Sequence, residues 1–376
     1  MLDLVFGFAI LLVGAMCGGS FGLPSKFVAK DLPWEILWGP FFFFATLLLP
    51  LVAGPILVPG LLGIYAKAGF MGLLLPFMFG FFWGLGSMTL GLSFAFIGLS
   101  LAYAINYGGQ IIVGSLGPML IHTPEKIHTL PGIVILIGVG VCLLGVIICG
   151  RAGMLKADNE ANNAPATEEV KVKKNGLPGL VLALASGALC ACWAIAFSFA
   201  NPINQTANAA EITGWRESLP ATFLILFGGF FSSCLYCVMK LNQNKTWNRF
   251  LSPKAVFAIG IAFVMAVLHD AAVTLFGLGA SMLGKLGDLG VPVGYTVFMA
   301  FAIIVGNFNG FLTGEWRNAG RKAVKWIYAG IIVLVIAVCI LGLGNGLDAQ
   351  SKPQDATPMV GGVEEITPDN VDSTQE

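Results

Sequence analysis

Residues 301–346 read FAIIVGNFNGFLTGEWRNAGRKAVKWIYAGIIVLVIAVCILGLGNG. One acid, Glu315, and four bases, Arg317, Arg321, Lys322 and Lys325, sit between two apolar runs. A helix needs about 20 mostly apolar residues to cross a bilayer. The runs 289–313 and 324–346 each meet that length, so the charged stretch reads as a loop between two spans. The whole chain carries the same pattern. Of its 376 residues 57% are hydrophobic and only 11% are charged, with a mean hydropathy of +0.85. A soluble domain uses about 25% charged residues to build its polar shell. Here the charges fall between apolar runs, and the bilayer is the natural solvent.

Reading outward for such runs gives ten spans: 3–24, 34–58, 69–94, 97–120, 130–150, 177–200, 219–240, 254–281, 289–313 and 324–346. The runs do not alternate, which excludes a β-barrel. The expected fold is all-α, a polytopic membrane protein of ten helices. The third and fourth spans are separated only by 95–98, read as a tight turn, because a single helix of that length would exceed any bilayer. The start carries an acid and no basic region, so the first span is read as a retained helix rather than a cleaved leader.

Orientation follows the bases. Fifteen of the 20 Lys and Arg residues fall on one side of a ten-span layout, including Lys26, Arg151, Lys240, Arg249 and the four of the opening stretch. That side is expected in the cytoplasm of a bacterium, with the protein in the inner membrane and both termini outside. Residues 151–176 are read as a cytoplasmic linker. Residues 347–376, with seven acids and one lysine, are read as a disordered acidic tail. The net charge of zero points to no nucleic-acid partner.

The halves on either side of the linker, 1–150 and 177–346, resemble each other. Gly14-Ala-Met-Cys17 matches Gly187-Ala-Leu-Cys190, and Gly98, Tyr103, Ile111, Ile112, Val113 and Gly114 match Gly290, Tyr295, Ile303, Ile304, Val305 and Gly306. Five spans per half makes the second copy enter from the opposite face, an inverted repeat. That device belongs to transporters that alternate access between the two sides.

Ionisable groups inside spans are few. His269-Asp270 stands near the centre of the eighth span, where a charge costs at least ~2.5 kcal/mol unless a cavity, partner or proton offsets it. It is expected to take up and release the coupling proton, with Glu35 as a second candidate; the alternative is a buried pair satisfied by Asn, Ser or water. Tyr103, Asn106, Tyr107 and Gln110 put phenol and amide groups along the fourth span at helical spacing. Such groups suit a polyhydroxyl ligand, and the alternative is hydrogen bonding between helices. Trp193, Ser198 and Asn201 in the sixth span and Asn307 and Asn309 in the ninth are further candidates. Glycines at spacing four (Gly18 and Gly22, Gly80 and Gly84, Gly306, Gly310 and Gly314) suggest close helix packing. The eight cysteines lie in apolar runs, and no metal motif, phosphate loop or nucleophile elbow occurs. No cofactor is expected beyond the proton, and an enzyme is not indicated.

The chain also resembles the L-rhamnose–proton symporter family within the drug/metabolite transporter superfamily. The likeness is carried by Gly14-Ala, Pro24, Lys26, Lys30, Trp34-Glu35, Phe79-Gly80, Trp83-Gly84, Gly86, Gly91-Leu92, Gly98 and Ser100. It continues through Arg151-Ala-Gly153, Glu315-Trp316 and Asn318-Ala-Gly-Arg321. The resemblance implies a ten-helix inner-membrane carrier with a five-plus-five inverted repeat, importing a deoxy-sugar with protons. The chain departs from the family pattern at Ser87, Tyr103, Asn106 and His269-Asp270, which leaves L-rhamnose or a related monosaccharide open as the substrate. A drug/metabolite-type permease or exporter of another small polar solute is the alternative. Glu315, Arg321 and Lys26 are expected as a cytoplasmic gate. The expected partners are the sugar and membrane lipids, with the protein a monomer or homodimer.

Overall fold

Inside hydrocarbon no water can satisfy a free N–H or C=O, so each span must close its own hydrogen bonds as a helix. The computed structural model follows that rule. It describes residues 2–29, 31–97, 99–163, 176–286, 288–314 and 316–351. Among them are thirteen α-helices and no strand. In order these are α1 Leu2–Ser20, α2 Trp34–Phe43, α3 Leu49–Leu57, α4 Leu61–Ile97, α5 Leu99–His122, α6 Leu130–Asn163 and α7 Gly176–Cys190. Then come α8 Cys192–Ser198, α9 Asn201–Ala209, α10 Leu219–Asn244, α11 Pro253–Leu286, α12 Gly290–Leu312 and α13 Gly320–Gln350.

Nine runs among the described residues are long and apolar enough to cross a membrane. The tenth expected span is α5, whose 24 residues reach about 36 Å. The break expected near 95–98 falls between Ile97, the end of α4, and Leu99, the start of α5. Among the described residues α4 is kinked at Gly69 (φ +76°), where the third span is expected to start, and two further spans are interrupted. The second passes from α2 to α3 through a wide turn at Phe44–Leu48, just before Pro50, which has no N–H to give; there the Thr46 hydroxyl donates to the Phe42 carbonyl at 2.6 Å. The sixth is broken at Ala191, between α7 and α8.

α1 packs on α11 and α12, and α7 packs on α4 and α5, so each half reaches into the other. α10 lies against α4 with the backbones touching. A Cβ at Gly80 would stand 2.2 Å from the Ile225 carbonyl, and one at Gly84 would stand 2.7 Å from the Gly229 carbonyl. The α12 stripe differs: a Cβ at Gly306 would meet only the Gly19 carbonyl at 3.7 Å, and Gly314 (φ +75°) has left the helix for the loop. Gly314 turns the chain rather than packing it.

The most extensive pairing joins α6 and α13. It is antiparallel in one register, with Ile135 against Gly344, Gly138 against Leu341, Gly145 against Leu334 and Cys149 against Gly330. Small residues on each helix receive the side chains of the other. The register continues past the bilayer to Asn159 against Gly320. Residues 151–163, read from the sequence as the start of a linker, are therefore helix. That state follows from packing, since Ala152 is buried with Trp316, Ala319, Ala323 and Ile327. At the other end α13 runs to Gln350, so 347–350 are helix rather than tail, because Asp348 is fully buried and paired. Residues 164–175 and 352–376 of the linker and tail lie outside the described residues.

Candidate functional site

Midway along α11 the His269 Nδ1 and Asp270 Oδ1 are 3.0 Å apart, and the two side chains keep 13% and 17% exposure. The imidazole is surrounded by rings from three other parts of the chain: Phe21 just beyond α1 at 5.6 Å, Phe41 of α2 at 5.6 Å and Trp83 of α4 at 5.7 Å between centroids. Trp83 in turn meets Trp193 of α8 edge to face at 5.1 Å. Helices from both halves thus converge on one aromatic nest containing an acid–base pair. The indole Nε1 of Trp193 lies within it, 4% exposed as a residue and without a hydrogen-bond partner. Leaving such a donor unpaired costs about 1–3 kcal/mol.

The glycines hold this nest in place. A Cβ at Gly229 would stand 2.7 Å from the Trp83 ring. The bare face of α10 is what lets that ring lie flat between helices. Phe21 and Phe41 stack at 5.7 Å, and Trp38 adds an edge to Phe41 at 5.3 Å.

The amides of the fourth span are joined in a second feature. Tyr295 O–H donates to Gln110 Oε1 (3.0 Å), Gln110 Nε2 to Asn106 Oδ1 (2.6 Å), Asn106 Nδ2 to Ser186 Oγ (2.9 Å), and Ser186 to the Gly86 carbonyl (2.8 Å). The chain runs from α12 through α5 and α7 to α4, all of it buried. Ser115 and Thr296 pair beside it. Gly187 allows the approach, since a Cβ there would meet the Asn106 carbonyl at 2.5 Å. Tyr107 is half-buried against the core, and the Tyr103 side chain lies outside the described residues.

The remaining candidates are scattered. The Asn307 amide donates to Ile303 of its own helix (2.8 Å). Asn309 ties α12 to the end of α1 through Ser20 (2.9 Å). Ser198 meets His122 at 3.0 Å, and Asn201 is exposed at the start of α9. Glu35 is 3% exposed at the start of α2, where its Oε1 accepts from Thr246 (2.5 Å) and Asn244 (3.0 Å). It stands six residues before Phe41, roughly 9 Å along the helix from the nest.

Opposite ends of α12 carry different contacts. At its close, Lys26 donates to Thr313 at 2.9 Å. Glu315 lies outside the described residues, and exposed Arg321 borders a groove with Leu155, Asp158, Asn159 and Lys322. Lys26 and Arg321 thus face different neighbours. Near this end Lys254 bonds Asp31 at 2.7 Å and holds that exposed carboxyl below its ordinary pKa. At the start of α12, Asp348 accepts from the Leu289 N–H (3.1 Å) and from Lys126 (2.8 Å), which also reaches Asp288 (3.2 Å). The Asp348 bond pushes the Lys126 ammonium above its usual pKa. Glu217 and Lys285 form another pair, between the 210–218 segment and the end of α11. Among the described residues no three His, Cys, Asp or Glu side chains gather to hold a metal.

The sequence singled out His269-Asp270 and Trp193 but not their surroundings. Trp83 stood out only as part of the family-like Trp83-Gly84 motif, and Phe41 and Phe21 look like ordinary span residues until the helices pack. Ser186 gave no signal beyond lying next to the repeated Gly187 motif.

A family model described as L-rhamnose-proton symport protein (RhaT) matches residues 2–347. The chain is 31% identical over 341 residues to a protein of Salmonella paratyphi B named L-rhamnose-proton symporter, covering 89% of this chain and 96% of that one. Proteins of the same name from Salmonella newport and Salmonella agona match with the same identity and coverage.

Proposed function

Because the chain belongs to the L-rhamnose-proton symport protein family, we propose that it imports L-rhamnose or a closely related monosaccharide together with protons, by alternating access. It is a multi-pass membrane transporter and not an enzyme. The observation that carries the site assignment is the His269-Asp270 pair, set mid-span where rings from α2, α4 and the end of α1 meet.

In this reading Asp270 is the proton carrier and His269 its partner. An ionised carboxyl at that depth is costly, so the loaded and unloaded states differ by several kcal/mol in what they tolerate nearby. Protonation from the outside removes the charge, and the sugar then occupies the aromatic nest. Release of both on the cytoplasmic side lets the empty carrier return. Glu35, already held by Asn244 and Thr246, serves the fold of the cytoplasmic end. The chain from Tyr295 through Gln110 and Asn106 to Ser186 acts as the hinge contact between halves, because Gln110 and Asn106 of the first are held at either side by Tyr295 and Ser186 of the second. The packing of α1 on α11 and α12, mirrored by α7 on α4 and α5, supports the inverted repeat that such an exchange requires. By the distribution of Lys and Arg, the Lys26 and Arg321 end is cytoplasmic, both termini are outside, and the membrane is the bacterial inner membrane.

Proteoliposomes with an inward proton gradient are expected to accumulate L-rhamnose. Asp270→Asn should abolish that accumulation while keeping sugar exchange at equal pH, because the fixed neutral side chain no longer requires a proton. Gradient-driven accumulation by the Asn variant at the wild-type rate would remove Asp270 from coupling.

A further inference from the structure

The Trp193 indole N–H is buried in aromatic surroundings and has no acceptor. Its ring lies edge to face with that of Trp83, at 5.1 Å between centroids. Trp193 also stands one residue past Cys192, where α8 begins after the break at Ala191. Trp83 links this orphan donor to the His269-Asp270 pair, being 5.1 Å from one ring and 5.7 Å from the other. The corner therefore combines two large indole surfaces, one unpaired donor and, beyond Trp83, one carboxyl.

We infer that Trp83 and Trp193 are specificity residues of the sugar site: the Trp193 N–H donates to one hydroxyl oxygen of the sugar, and the indole rings receive the apolar C–H face of a deoxy-pyranose. This rests on the reading of the nest as a sugar site. The chemistry favours a deoxy-sugar over a fully hydroxylated hexose. A methyl group against an indole loses nothing, whereas a hydroxymethyl placed there buries a hydroxyl beside rings that cannot accept its proton. A site that donates to a substrate oxygen also rejects the analogue lacking it more strongly than it rejects a small change in bulk.

The test uses full-length protein in proteoliposomes with L-rhamnose and its singly deoxygenated analogues. Wild type should lose about tenfold in apparent affinity for one analogue, the size of one hydrogen bond. Trp193→Phe keeps the ring and removes the donor. It should bind L-rhamnose about tenfold more weakly and no longer distinguish L-rhamnose from that one analogue, while its discrimination among the others persists. Should the variant fail to fold, wild type labelled with ¹⁵N at its indoles provides a second measurement. One N–H resonance should shift with L-rhamnose and not with the discriminating analogue. Unchanged affinity in Trp193→Phe, or equal weakening toward every analogue, overturns the assignment, and so does the absence of any sugar-dependent indole shift in wild type. If wild type binds no monosaccharide at all, it is the sugar-transport reading that falls.

Discussion

At the residue scale, the absence of one methyl group shapes the site. Gly229 leaves the space in which the Trp83 ring lies, with an added Cβ only 2.7 Å from that ring. Gly229→Ala is expected to displace Trp83 at a cost of roughly 1–3 kcal/mol, the range for overpacking a filled interior. L-Rhamnose affinity should fall, whereas Gly260→Ala, where an added Cβ meets nothing within 4 Å, should leave affinity unchanged and not lower the melting temperature. Titration of binding on both variants, alongside thermal unfolding in detergent, checks this. The His269-Asp270 pair was legible from the sequence alone because ionisable residues are so expensive mid-span that their presence is itself a signal. Its aromatic partners were not. A Phe or Trp inside a span costs nothing, so nothing separates those facing the pair from those facing lipid.

At the scale of elements, the α6–α13 pair acts as a continuous stave along one side of the bundle, fastened at both ends. One fastening is Trp316 with Ala152 and the Lys156 ammonium 5.3 Å above the indole. The other is Asp348, with 0% side-chain exposure, holding Lys126 and the N–H of Leu289, the residue that caps α12. Asp348→Asn should lower unfolding stability by about 1–3 kcal/mol, since it leaves Lys126 with only the half-exposed Asp288, and exposed pairs contribute little. The pH dependence has a definite sign. Lys126 is raised above its ordinary value of 10.5, so its contribution is complete below that pH and fades as pH climbs through the raised value. Melting temperature should therefore show no Lys126-dependent change between pH 6 and 9, and Lys126→Met should flatten the fall expected of wild type above about pH 10.5. The span positions were legible because each is a run of apolar residues of bilayer length. The helical extension of α6 beyond the membrane was not, since RAGMLKADNEANN has no apolar run and is helical through what it packs against.

At the scale of the whole molecule, the two ends of α12 lie about 34 Å apart by helical rise, with Lys26–Thr313 at one and Lys126–Asp348 at the other. A carrier that alternates access loosens one end while holding the other, so these two sets of contacts should break in turn. Orientation in the membrane can be read directly from labelling. In a cysteine-free background, Cys placed at Lys322 should react with an impermeant thiol reagent only from the cytoplasmic side. Cys at Glu125 should react only from outside. Labelling with the opposite sidedness would reverse the topology read from the bases. Lys322→Gln, by contrast, should not affect L-rhamnose affinity, because that exposed residue borders a groove with the α6 extension rather than the nest.

Composition and spacing are enough to set the solvent, the helical class, the run of spans and the acid–base pair placed where a charge is costly. Each of these follows from local composition measured against bilayer thickness and desolvation. Only the tertiary structure decided which side chains face that pair. It also showed that Asn106 and Gln110 are bonded to Ser186 and Tyr295 across the halves. It left one indole donor, Trp193, buried with no acceptor. The physical reason is that in hydrocarbon every span looks alike from its own residues. Identity as lining, hinge or lipid face arises when glycine-lined surfaces let particular helices touch, and those contacts join positions from opposite ends of the chain.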